Sequence, residues 1–97
     1  MISLKRHRVQ TEVLVAACDA ELLGRSFEEG ELHLELGRRF FEGERVDVKL
    51  FLEVLALATV ANLAGKRTVE AAVGAGFVDP ECVITIGGVP HAQIVRM

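Results

Sequence analysis

The residues best suited to chemistry crowd the C-terminal stretch "ITIGGVPHAQIVRM". Gly87 and Gly88 can adopt positive φ and turn the chain after Ile86. Pro90 has no N–H to give to a strand ladder, which places it at the start or edge of the returning strand. His91 and Gln93 are two apart and share one face of that strand, away from Ala92 and Ile94. Two glycine amides beside an imidazole and a side-chain amide make a small nest suited to a phosphate or a carboxylate. The stretch lacks the lysine and hydroxyl of a P-loop, and a plain hairpin with His91 and Gln93 in solvent would use the same residues. Gly87, Gly88, Pro90, His91 and Gln93 are thus candidates for ligand or partner binding, first as a turn and second as a recognition surface.

Catalysis needs a positioned partner for such a histidine, and the sequence offers none. Asp79 and Glu81 precede the strand that leads into the loop and so sit at its far end. Ser3 and Ser26 are the only serines, and neither lies in a nucleophile-elbow motif. In "ELHLEL" the trio Glu31, His33 and Glu35 shares a strand face. Residues spaced in that way stand about 6.5–7 Å apart, too far for three to meet on one ion without a strong bend. The trio reads as a solvated face in which carboxylates surround an imidazole. Cys18 and Cys82 have no metal spacing and read as reduced, buried side chains. No metal or cofactor is expected, and the chain leans away from an enzyme.

Charge supplies the other candidate surface. The net charge is −3, yet Lys5, Arg6 and Arg8 fall within the first ten residues with no acid among them. Residues 19–35 are strongly acidic. Such asymmetry excludes a chain basic all over that coats nucleic acid unselectively, and it leaves a local basic edge. Lys5, Arg6 and Arg8, joined by Lys66 and Arg67, are candidates for nucleic-acid binding. Aromatic residues are not interleaved with them, so contact would be to RNA phosphates rather than by base stacking.

The elements that must position these residues follow from periodicity. "ISLKRHRV" and "EVLVAAC" read as a hairpin turning at Gln10-Thr11, the second strand being interior. Asp19 should cap a short helical turn that Gly24 ends. "ELHLEL" alternates as a half-buried strand, and residues 37–45 are irregular. Asp47 should cap a main helix over Val48–Leu63, with a second helix over Lys66–Ala75 and two last strands, "CVITI" and "AQIVR". The order predicts an α+β two-layer sandwich: a mainly antiparallel sheet of about five strands with both helices on one face. Leu14, Val15, Leu34, Leu36, Phe51, Leu55, Val69, Val73 and Ile84 should be buried.

The 97 residues, 51% of them hydrophobic, form one domain. With charge in "MISLKRHR" no signal peptide is expected, and the longest apolar run is too short and too interrupted for a membrane span. A cytoplasmic protein is expected. Asn62 as the single asparagine, with arginine commoner than lysine, leans towards a thermophilic source. The apolar excess and the narrow polar stripe of the main helix predict a homodimer.

"EVLVAACDAELLG", "ATVANLAGKRTVEAAVGAGFVD" and "IGGVPHAQIVRM" together resemble the archaeal family known as domain of unknown function 424. The resemblance spans nearly the whole chain, and "GGVPHAQ" is its most specific element. It implies an archaeal cytoplasmic protein linked to RNA, ribosomes or translation, and it supplies no catalytic residues. The expected function is therefore a small binding module, RNA- or ribosome-associated. A homo-oligomeric interaction module, or a binder of small anionic ligands or an enzyme using the "GGVPHAQ" loop, is the alternative.

Overall fold

The structure, a computed structural model, describes residues 1–96. Strands β1 (Ile2–Val9) and β2 (Glu12–Asp19) form the expected antiparallel hairpin, in register from Ile2 with Asp19 to Val9 with Glu12. Gln10 takes the left-handed backbone that this turn requires, with φ 56°. A 3-10 turn at Ala20–Leu22 leads to a separate hairpin, β3 (Ser26–Glu29) and β4 (Leu32–Glu35). A one-turn helix, α1 (Arg38–Phe41), and a short strand, β5 (Glu44–Val46), occupy the segment that reads as irregular. Then come α2 (Val48–Leu55), β6 (Val60–Ala64), α3 (Lys66–Gly74), a 3-10 turn at Pro80–Cys82, β7 (Ile84–Ile86) and β8 (Val89–Val95).

Six strands make one sheet in the order β5-β1-β2-β6-β8-β7, antiparallel throughout except for β2 against β6. The fold is α+β, and the sheet is mainly antiparallel as expected. It has one strand more than expected, and the β3–β4 hairpin stands apart as a second sheet.

The main helix is shorter than its pattern predicts. Asp47 caps it, its Oδ1 accepting from the Leu50 N–H at 2.9 Å. Regular helix stops at Leu55, and residues 60–64 are strand, not helix. The handover is made at Thr59, which donates its N–H and its hydroxyl to the Val13 carbonyl. The Val13 N–H in turn donates to the Thr59 hydroxyl oxygen at 2.9 Å. β6 then runs between β2 and β8 with apolar residues facing both sides, so it carries no alternation to tell it from a buried helix.

α2 and α3 cover one face of the sheet, as expected. Phe51, Val54, Leu55, Val69 and Ala72 pack there on Ile2, Leu4, Val15, Ala17 and Leu63. The other face carries a smaller core in which Leu23, Leu34, Leu36 and Phe41 meet Ala16, Cys18, Ala64, Ile86 and Val89. Much of the apolar excess is thus buried within the chain. Of the expected core, Val15, Leu34, Leu36, Phe51, Leu55 and Val69 are buried, while Leu14 and Val73 are half-buried. Ile84 is 46% exposed, because it lies on the short edge strand β7 beyond the reach of the covering hairpin.

Asp19 does not cap the turn that follows it. Its carboxylate reaches across to the first turn of α3, 2.9 Å from the Thr68 N–H, 2.8 Å from the Thr68 hydroxyl and 3.1 Å from the Arg67 N–H. Asp19 and Thr68 are both buried. The carboxylate therefore occupies the positive end of the helix and satisfies its orphan donors.

Candidate functional site

Gly87 and Gly88 form a two-residue hairpin loop closed by Ile86 opposite Val89. Their φ values, 58° and 84°, are the pair that a type I′ turn needs and only glycine takes readily. The turn is docked on the β3–β4 hairpin. The Gly87 N–H donates to Glu29 Oε1 at 3.0 Å, and a Cβ at Gly87 would come within 3.2 Å of the Glu28 carbonyl and of Phe27 Cβ. The anion nest read from the glycine pair is met on one amide by the chain's own carboxylate.

Pro90 is the second residue of β8, flanked by β6 and β7. Its carbonyl accepts from the Gly65 N–H at 2.9 Å. The return bond, which proline cannot make, would have gone to the Gly65 carbonyl. That carbonyl instead accepts from the Val69 N–H in the first turn of α3. Pro90 stands where its partner strand has already become a helix.

His91 and Gln93 do share a face, the one carrying the smaller core. His91 lies opposite Ala64 and Ile84, and Gln93 opposite Asn62. His91 Nδ1 is 3.0 Å from the Leu63 carbonyl. A carbonyl only accepts, so Nδ1 carries the hydrogen and Nε2 of the neutral ring is left as an acceptor. The Gln93 side chain donates through Nε2 to Asn62 Oδ1 at 2.9 Å, which leaves Gln93 Oε1 and Asn62 Nδ2 without a partner among the described residues.

Beside them opens a groove of about 470 Å³, lined by Leu32, His33, Cys82, Ile84, Ile86, His91 and Gln93. It separates the tip of the β3–β4 hairpin from β7 and β8. Leu32, 48% exposed, and the half-exposed Ile84 are the exposed part of its apolar lining. Leu32, Ile84 and Asn62 are residues that sequence reasoning missed here. Leu32 and Ile84 read as ordinary strand positions, and Asn62 falls within the stretch whose pattern reads as helix.

The acidic trio does not assemble. His33 lies between Glu28 Oε1, 3.3 Å from Nδ1, and Glu35 Oε2, 3.7 Å from Nε2, on the exposed face of the hairpin. Glu28 is brought in by cross-strand register and Glu31 takes no part. Among the described residues no three metal-ligating side chains are placed to hold an ion. Cys18 is fully buried, and burial pushes its thiol pKa up to about 12. Cys82 is exposed rather than buried, a correction that follows from its place in the 3-10 turn before the edge strand.

The five basic candidates do not form one patch. Lys66 and Arg67 open α3 beside Asp19, at the Ile2 end of β1, and Arg67 lies 3.9 Å from Glu21. Arg8 is six residues along β1, about 20 Å from that end at strand spacing. Lys5, Arg6 and Arg8 do share a structural element with a special status. β5 pairs only with Ile2–Leu4, so from Lys5 onward β1 is an uncovered sheet edge. Arg6 and Arg8 project to the side of the large core, and Lys5 and His7 to the side of α1.

α1 then supplies what spacing along β1 could not show. Lys5 Nζ donates to the Arg39 carbonyl at 2.7 Å, and His7 Nε2 donates to the Phe40 carbonyl at 2.9 Å. The His7 ring stacks on Phe40 with centroids 4.6 Å apart and planes 17° from parallel, and Phe40 is 37% exposed. Arg39 thereby joins the basic edge, while the Arg38 guanidinium lies over Gly24 and pairs with Glu42. The carboxylates nearby are Glu42, 3.1 Å from Arg38 and 3.6 Å from Arg45, and Glu44, 3.5 Å from Arg6.

The family model described as "Protein of unknown function (DUF424)" matches residues 7–97, and the chain belongs to that family. No protein of curated function matches. Among solved structures, the crystal structure of an uncharacterized conserved protein from Methanopyrus kandleri is similar, with a TM-score of 0.79 at 24% identity. That similarity covers 99% of this chain and 93% of the other, and it bears on the fold alone. Among the described residues no helix is long and apolar enough to cross a membrane.

Proposed function

For this member of the DUF424 family we propose a binding module whose β1 edge receives an RNA strand. The observation that carries the reading is the run Lys5–Arg8, unpaired by any strand on its outer edge, cationic on both sides of the sheet and flanked by Arg39 of α1. A phosphate chain laid along such an edge meets cations from both faces, and the open backbone N–H groups add donors. The exposed Phe40–His7 stack offers a ring face to an unpaired base, a contact that the interleaving of the sequence did not suggest. An RNA of the translation apparatus, in an archaeal cytoplasm, is what the family resemblance implies. Lys66 and Arg67 are left outside this surface.

Charge on an edge strand has a second use, since it deters edge-to-edge pairing. The two roles separate by experiment. Fluorescence anisotropy with a labelled single-stranded RNA over a salt series should give binding that weakens with a log–log slope of about −2 to −3, as three or four phosphate contacts require. The R6E/R8E double variant should abolish it. Binding that is flat with salt, or unchanged by the charge reversal, would leave edge protection as the role.

Self-association is a second reading. It is favoured by an apolar cleft at the opposite end of the sheet, where Val69, Val73, Pro80, Val83 and Pro90 surround the edge residue Thr85. A specific homodimer there should bury at least about 1,000 Å² in total. A sedimentation run showing only monomer at high micromolar concentration would dispose of it.

A further inference from the structure

The groove beside His91 is the second place where the fold presents unsatisfied chemistry, and its character differs from the anion nest read from the glycines. Two acceptors face it, beside one donor, Asn62 Nδ2, and the His33 ring, which lies between Glu28 and Glu35. His91 Nε2 is an acceptor because Nδ1 is tied to the Leu63 carbonyl. Gln93 Oε1 is an acceptor because its Nε2 is tied to Asn62. No lysine or arginine lines the groove. The segments around it carry Glu28, Glu29 and Glu31 at the hairpin tip and Glu81 beside Cys82, so the local field is negative. The apolar share of the lining comes from Leu32, Ile84 and Ile86.

An anion would enter against that field and find one of the two amides of the nest, the Gly87 N–H, already given to Glu29. A ligand that brings its own donors and a positive charge meets no such obstacle. We infer that the groove between the β3–β4 hairpin and β8 binds an aliphatic amine, its ammonium donating to His91 Nε2 and Gln93 Oε1 and its methylene chain lying on Leu32 and Ile84. The size suits a short alkyl chain, since small-ligand sites begin at about 300 Å³. Three methylene-bearing sources share this chemistry: a diamine, a polyamine, and the side chain of lysine in a peptide. The inference is independent of the RNA reading, because the two surfaces share no residue.

The test is a titration of the isotopically labelled protein with 1,5-diaminopentane, spermidine and an N-acetyl-lysine amide in parallel, followed by amide chemical shifts. A saturable, one-to-one shift confined to residues 32, 62, 84, 91 and 93 is expected. The three arms tell which source fits best. Gln93→Leu and His91→Phe should each weaken the affinity at least tenfold while leaving the melting temperature within a few degrees. Shifts confined to exposed glutamates without saturation would mean that the amines are mere counterions, and would overturn the inference. So would saturable binding of phosphate or acetate at the same five residues, or amine binding that survives both variants.

Discussion

Asp19 and Thr68 lie 49 positions apart in the chain, and one carboxylate oxygen accepts both the N–H and the hydroxyl of the threonine. This contact ties the end of β2 to the start of α3, at the end of the parallel strand pair β2–β6. Asp19→Ala would strand the Thr68 and Arg67 donors in a buried site. A loss of about 3 kcal/mol in urea unfolding is expected, with Asp19→Asn costing less because it keeps one acceptor. An alanine variant within about 0.5 kcal/mol of the parent would show that water replaces the carboxylate.

Gly65 depends on the same contact. Its φ is 102°, and a Cβ there would stand 2.5 Å from the Asp19 carboxyl carbon. Gly65→Ala should therefore destabilise by about 2 kcal/mol or more, combining backbone strain with displacement of the cap. In the Asp19→Ala background the cost of Gly65→Ala should fall. Thermal melts of the four-member cycle measure that coupling.

The two thiols should behave oppositely. In the folded protein one equivalent of iodoacetamide should react, at Cys82, and a second only after denaturation. Because burial raises the Cys18 pKa from an ordinary 9.0 to about 12, the unfolded thiol ionises first as pH rises. The stability contributed by this group is complete below pH 9 and declines between pH 9 and 12. Urea midpoints measured from pH 7 to 10.5 should begin to fall near pH 9 in the parent. Cys18→Ala should remove that part of the slope.

His91→Ala should fold, because the ring is half-buried and its one hydrogen bond shares a carbonyl at the sheet surface. A loss below about 1.5 kcal/mol is expected. An unfolded variant would make His91 a structural residue and remove it from any site.

Gly87→Asn should be tolerated better than Gly87→Val, since asparagine enters the left-handed region more readily than a β-branched residue. Hydrogen exchange at the β7–β8 turn reads the difference, and equal protection in both variants would contradict the type I′ assignment.

Local signals were enough for much of this molecule. Gln10-Thr11 and Gly87-Gly88 mark turns because a tight hairpin demands positive φ, and Asp47 marks a helix start because a carboxylate there meets an orphan N–H. The mainly antiparallel α+β fold and both helices on one face follow from such local rules. What failed was decided by partners far along the chain. Residues 60–64 became strand because Thr59 could exchange hydrogen bonds with Val13, a choice that an unbroken apolar run cannot encode. Asp19 left its own turn for Thr68. Glu29 took the amide that the glycine loop offered to an anion, Arg39 and Phe40 reached the basic strand through α1, and Leu32 met Ile84 and His91 across a groove. Each of these depends on the packing of one hairpin and one helical turn over a sheet face, and side-chain spacing along a strand carries no record of that packing.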